Sequence, residues 1–215
     1  MQETNRATAP IFKIYFMKAL TDTEKTEKLF PEERQAEVDE AKTPKTRAEK
    51  YSVWKLLQHA LQHAFGVAME ELSFQKDDFG KWTCDKFFFS LSHSNGVACV
   101  AVSDATVGVD LENVCSFEKK FGHKLNALFG KCLCKGESVP QFLTVPAAVT
   151  LWTQKESIFK LRGKGKFVPS QISAEKTSVT VFKQIFGEEW CVSFCGEHSF
   201  AAEFFVVDGN GNVIG

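Results

Sequence analysis

Two carboxylates stand two residues apart in the stretch ATVGVDLENV, Asp110 and Glu112, with Leu111 between them. In an extended strand alternate residues share a face, so the acids project together while Leu111 points the other way. Like charges so placed repel unless a cation lies between them. Mg2+, or Mn2+ in its place, suits such a pair: a hard ion that takes oxygen ligands from a few carboxylates and a substrate's phosphates. Taken alone, the pair reads rather as a solvated strand end.

A second group sits in LWTQKESIFKL, residues 151–161. Trp152, Glu156 and Lys160 are each four apart and share one helix face, with Lys155 and Phe159 on the neighbouring stripe. A Glu–Lys pair at that spacing stabilises a helix by about 0.2–0.5 kcal/mol. That accounts for Glu156 and Lys160 but not for Trp152 and Lys155. RGKGK follows directly, alternating cations with glycines in a pattern suited to phosphate. Glu156 as a third carboxylate, Lys155, Lys160 and this basic turn would complete a site for a metal and a pyrophosphate. FFFSLSHSNG adds Ser90, Ser92 and Ser94 at alternate positions, with His93 and a turn after them. Ser92, His93 and the turn amides could receive an anion, although by itself the segment reads as a polar hairpin end. A serine hydrolase fits poorly, since no G-x-S-x-G elbow is present.

The elements that must position these groups follow from periodicity. PIFKIYFMKAL alternates early and predicts a first strand. The charge-dense stretch after it predicts helices broken at Pro31 and Pro44. AEKYSVWKLLQHALQHAFG is the strongest helix: Tyr51, Trp54, Leu57, Leu61 and Phe65 recur at helical spacing and Gly66 is placed to cap it. LSFQKDDFGKWTC predicts a hairpin turning near Asp78–Gly80. Two or three strands follow through GVDLENV, then a mixed, partly helical stretch. PAAVTLWTQKESIFKLRGKG is the second strong helix, ending at Gly163, and the tail is strand-rich. SHSNGVACVAVSD (92–104) echoes EHSFAAEFFVVD (197–208), which predicts a duplicated unit with a seam near residue 105 and a ligand cleft between the halves.

Bulk properties narrow the function classes. The chain has 215 residues, enough for a real core, and 21 of them are Phe, so the core should be aromatic-rich. Formal charge is −1, so no global field draws in nucleic acid or an anionic membrane. Seven cysteines, Cys84, Cys99, Cys115, Cys132, Cys134, Cys191 and Cys195, form no CxxC pair and read as free thiols of a reducing cytosol. The first residues lack the apolar core of a signal peptide, and no stretch approaches the ~20 apolar residues of a membrane span. A cytoplasmic protein is expected.

In order and spacing, FSLSHS, GVDLE and WTQKESIFKLRGKG resemble the Sfp-type 4′-phosphopantetheinyl transferases, whose blocks are Ser-His-Ser, Gly-(Ile/Val)-Asp-(Ile/Val/Leu)-Glu and Trp-x-x-Lys-Glu-(Ala/Ser)-x-x-Lys. FGKW (79–82) is similar to that family's Tyr-Gly-Lys-Pro, with Trp82 in place of proline. The resemblance implies an α+β (α/β) pseudo-two-fold fold, each half a small antiparallel sheet packed with a long helix, divided as 1–104 and 105–215. It implies coenzyme A bound between the halves and transfer of its phosphopantetheine arm to a serine of an apo acyl or peptidyl carrier protein, releasing 3′,5′-ADP. By motif position Asp110, Glu112 and Glu156 would hold Mg2+. Ser92 and His93 would contact the 3′-phosphoadenosine end, Lys81 the nucleotide and Lys160 the pyrophosphate. The general base stays open between Glu156 and a metal-bound water. For the 3′-phosphate the candidates are Lys55, where the family more often has Arg, then Arg47 and Lys45. No strong match to the family is found between Glu112 and Pro146, a segment that by the resemblance includes the family's carrier-facing region. The family implies a monomer.

Two other classes stay on the table. A duplicated module that holds coenzyme A or a nucleotide without catalysis would keep its ligand when Glu156 is replaced. A scaffold with surface ion pairs would show no response to Mg2+.

Overall fold

A computed structural model describes residues 11–21, 28–174, 178–197 and 201–215. In chain order its elements are β1 (Phe12–Lys18), α1 (Glu32–Asp39), α2 (Pro44–Phe65), β2 (Phe74–Lys76), β3 (Trp82–Cys84), β4 (Phe88–Ser94), β5 (Val97–Ser103), β6 (Val107–Asn113), α3 (Val114–Phe121), α4 (Leu125–Cys132), α5 (Val145–Arg162), β7 (Ser178–Ile185), β8 (Glu188–Gly196) and β9 (Glu203–Val207).

Both faces of β1 are apolar, and this sets the layering. Tyr15 and Met17 join a core with Trp54, Leu57 and Leu61 of α2. Phe12, Ile14 and Phe16 join a second core with Val107, Val109 and Leu111 of β6 and Trp190, Val192 and Phe194 of β8. The first sheet, in the order β4-β5-β1-β9, therefore has α2 on one face and the second sheet, β6-β8-β7, on the other. Helix α5 packs on the outer face of the second sheet, against β6 and β8. The two long helices use the same end devices. Thr43 and Thr144 accept a hydrogen bond from the backbone N–H three residues on, Pro44 and Pro146 sit in the first turn, and Gly66 and Gly163 close the helices in the left-handed conformation.

The connectivity is the same in both sheets: a strand, a long helix, then a hairpin whose second strand pairs antiparallel with the first strand, as β5 does with β1 and β8 with β6. The first sheet is not wholly antiparallel, however. β9 comes from the end of the chain and runs parallel to β1. Its side chains explain the placement. Phe205 stacks on Tyr15 at 5.0 Å on one face and Phe204 stacks on Phe16 at 6.4 Å on the other, so β9 extends both cores and covers an edge of β1 that would stay unpaired. The second copy of the echo at 197–208 includes residues 198–200, which lie outside the described residues.

All seven cysteines are free thiols. Among the described residues no helix is long and apolar enough to cross a membrane.

Candidate active site

β4 and β6 are edge strands of different sheets, and they pack against each other. Three serines on one face of β4 join them. Ser90 Oγ accepts the Val109 N–H at 3.0 Å, Ser92 Oγ donates to Asp110 Oδ1 at 2.7 Å, and Ser94 Oγ donates to Glu112 Oε2 at 2.6 Å. The period-2 alternation of Ser90, Ser92 and Ser94 is what aligns them with the alternation of Asp110 and Glu112. Leu111 faces the core between the sheets, as the spacing predicts.

Helix α5 adds the remaining groups from the other side of β6. It comes close because Gly108 has no side chain: a Cβ there would collide with the Ser157 carbonyl and approach the Leu161 nitrogen to 2.8 Å. At this distance Lys160 Nζ donates to Asp110 Oδ1 at 2.7 Å and lies 3.9 Å from Glu156 Oε2. Burial works against the Lys160 charge, but Asp110 and Glu156 outweigh it and hold its pKa above the ordinary lysine value. Burial, reinforced by Asp110, lifts the Glu156 carboxyl to about 7. Burial also raises Glu112, with Asp110 adding to it and the Ser94 hydrogen bond opposing it. The cluster therefore carries more negative charge than Lys160 balances.

Part of its donor set suits a divalent cation. Asp110 is 3% exposed, and its Oδ2 is buried without a hydrogen bond while Oδ1 takes two. An orphaned carboxylate oxygen beside two acids with raised pKa values fits a hard cation in chemistry. Among the described residues no group of three or more His, Cys, Asp or Glu side chains is gathered closely enough to hold a metal ion, and the Lys160 ammonium is the cation that meets Asp110.

Beside the cluster lies a cavity of about 250 Å3. Its walls are the β2–β3 hairpin at Gly80–Trp82, Phe89–Leu91 of β4, and Phe159, Lys160 and Gly163 at the end of α5. Lys81 Nζ donates to the Lys160 carbonyl at 2.6 Å, tying the hairpin to the helix end, and burial lowers its pKa. A mostly apolar cleft with two lysines at its wall suits a ligand with an aromatic body and phosphates.

The other residues singled out from the sequence divide. Ser92 is buried on Asp110. His93 lies next to it in β4 with Nδ1 3.5 Å from Glu49 Oε2, and burial lowers its pKa. Lys45 is exposed in the first turn of α2. Arg47 donates to the Ala41 carbonyl at 3.4 Å, and Lys55, 8% exposed, donates to Gln58 at 2.7 Å. Lys155 is not brought to the site. It is fully buried, and its ammonium is held by Glu137 Oε2 at 2.7 Å and the Ile172 carbonyl at 2.6 Å. The one-position step along α5 from Glu156 turns Lys155 into the interior. Sequence reasoning missed Gly108, Ser94 as a ligand of Glu112, and Glu49. An isolated glycine in a strand pattern and the third serine of the alternation were usable signals; Glu49, within a charge-dense run, gave none.

The site is thus a partly buried acid–lysine cluster at the seam of two sheets, next to a mostly apolar cleft walled in part by Lys81 and Lys160. The comparisons give this a family context. No family model matches the chain. Over 137 residues it is 28% identical to 4′-phosphopantetheinyl transferase gsp of Aneurinibacillus migulanus, an alignment covering 60% of this chain and 55% of that one. Over 119 residues it is 28% identical to 4′-phosphopantetheinyl transferase psf-1 of Bacillus pumilus, covering 51% and 48%. The chain spans about half the length of the curated relatives it matches. Both relatives carry the name of the family that the three motifs resemble.

Proposed function

We propose that this chain is a 4′-phosphopantetheinyl transferase that moves the phosphopantetheine arm of coenzyme A to a serine of an apo acyl or peptidyl carrier protein and releases 3′,5′-ADP. The observation that carries the reading is convergence. Three separate motifs supply Ser92, Asp110, Glu112, Glu156 and Lys160 to one network beside a cleft walled by Lys81 and Lys160.

In this reading the adenosine end of coenzyme A lies toward Lys81, Ser92 and His93, and the pyrophosphate lies at Lys160. Asp110, Glu112 and Glu156, not gathered closely enough as they stand, are the carboxylates that would draw together to hold Mg2+, and the ion would supply charge neutralisation to the pyrophosphate. Glu156, a carboxylate on the seam face of α5 beside Lys160, is placed to take the proton of the attacking serine. Lys160 is preorganised by Asp110 to meet the charge that develops on the leaving phosphate. The two strand–helix–hairpin units, 1–104 and 105–215, are then duplicated halves with the site at their seam. The protein acts as a cytoplasmic monomer.

The test is incubation of the folded protein with coenzyme A, Mg2+ and a panel of apo carrier proteins, read by mass spectrometry. A mass gain of one phosphopantetheine on a carrier serine is expected. Absence of transfer to every carrier would defeat the proposal.

A further inference from the structure

The β2–β3 hairpin carries Lys81 to the wall of the cleft, yet it belongs to neither larger sheet. A two-stranded hairpin is marginal by itself, so its placement depends on what it is tied to. Phe74 and Trp82 pack against Trp54 of α2, at 5.5 and 5.3 Å between ring centres. A polar tie comes from Glu37 of α1, which meets both strands. Its Oε1 pairs with Lys76 of β2, and its Oε2 accepts the indole N–H of Trp82 in β3 at 3.1 Å. Arg34, 7% exposed, donates to the same Oε2 at 2.8 Å and to the Lys50 carbonyl of α2 at 2.9 Å. Burial alone would raise the Glu37 carboxyl, but the three donors hold it below the usual range. One ionised carboxylate therefore fastens the hairpin to the helical layer.

Trp82 follows Lys81 directly and lines the cleft with it. Fixing the indole fixes the backbone from which the Lys81 side chain crosses to the Lys160 carbonyl, 2.6 Å away. A proline at this position would set its own φ but has no N–H to give. Trp82 leaves the dihedral free, and its side chain supplies the constraint. Resting on the transferase reading, we propose that Glu37 is a positioning residue: through Trp82 it holds Lys81 where the nucleotide end of coenzyme A lies in the cleft. Glu37 itself stands outside the cleft wall, so its loss weakens donor binding without slowing the chemical step.

Titration calorimetry of the full chain with coenzyme A and Mg2+, beside transfer kinetics, tests this. Glu37→Ala is expected to raise the coenzyme A Kd by about 10-fold. It should leave kcat at saturating donor within about 2-fold and speed hydrogen exchange across residues 77–82. Trp82→Phe keeps an aromatic ring but removes the N–H; it is expected to reproduce the loss, and it carries the comparison if Glu37→Ala does not fold. The double variant is expected to lose no more than the larger single loss, because both changes cut one tie. A folded variant of either kind that binds coenzyme A like the unaltered protein overturns the inference and leaves the transferase reading standing. Single losses that add in full in the double variant overturn the route through Trp82. Failure of the unaltered, folded protein to bind coenzyme A overturns this inference and the transferase reading together.

Discussion

Helix α5 carries two lysine–carboxylate arrangements on different faces, one buried and one partly exposed, and they behave in opposite ways. On the inner face, Lys155 meets one acid, Glu137, whose oxygens also accept the backbone N–H groups of Cys134 and Ala174 at 2.7 and 2.8 Å. Burial alone would raise the Glu137 carboxyl, but these donors together hold it below the usual range. On the seam face, Lys160 meets Asp110 and Glu156, with Glu112 within electrostatic reach, and burial with mutual repulsion drives Glu156 up to about 7. The first arrangement is balanced and satisfied; the second has an acid to spare and an oxygen without a partner. A balanced buried pair serves the fold, whereas an unbalanced one held in place by the fold marks where chemistry is done.

The largest expected effect tests the unbalanced face. Glu156→Gln should lower transfer by about 10²–10⁴-fold, the range a positioned general base contributes. Without added divalent cation it should leave unfolding free energy unchanged or raise it by about 1 kcal/mol, since a repelled charge has been removed. Transfer assays and urea unfolding on the same preparation check both. A destabilised Glu156→Gln protein would erase the contrast between the faces.

Lys155→Ala is the mirror experiment. Removing one partner of a buried pair strands the other, and the cost is about 3–5 kcal/mol. Unfolding free energy should fall by that amount, while transfer per folded molecule changes little. A loss of transfer at full stability would return Lys155 to the site.

This lysine also marks the limit of what could be read from the sequence. Periodicity of 3.6 placed Trp152, Glu156 and Lys160 on one face correctly, but it says nothing of which way the next stripe points. Lys155 turns inward only because Glu137, 18 residues away, and the Ile172 carbonyl are waiting there. Local patterns were legible: the two long helices with their glycine caps, the β2–β3 hairpin, and the shared face of Asp110 and Glu112 with Leu111 opposite. Long-range pairings were not. The parallel joining of β9 to β1, the serine ladder between β4 and β6, and the capture of Gly96 by Glu49 all depend on which chain segments meet, and no local period encodes that.

Gly108→Ala probes how the two faces are kept apart. The added methyl would meet the backbone of α5 at Ser157 and Leu161, which cannot yield as a flexible side chain can. Overpacking of this kind costs about 1–3 kcal/mol. Because the shift would carry Lys160 and Glu156 away from Asp110, transfer should fall along with thermal stability. Such a joint loss separates Gly108→Ala from Glu156→Gln, which loses transfer alone, and from Lys155→Ala, which loses stability alone.

The smallest effect is a pH dependence confined to the balanced face. Glu137 has a folded-state pKa below its unfolded value, so the folded protein holds its carboxylate ionised where the unfolded chain has begun to protonate it. The stability this contributes is fully present above the unfolded carboxyl pKa and is lost as pH falls through the folded one. Glu137→Gln should therefore destabilise the protein at neutral pH and flatten the acid side of its stability profile. Urea midpoints measured from neutral pH down to the acid transition read this directly. An acid limb unchanged in Glu137→Gln would mean that Lys155 and the two backbone donors do not favour the ionised carboxylate, and the contrast with the seam face would then rest on geometry alone.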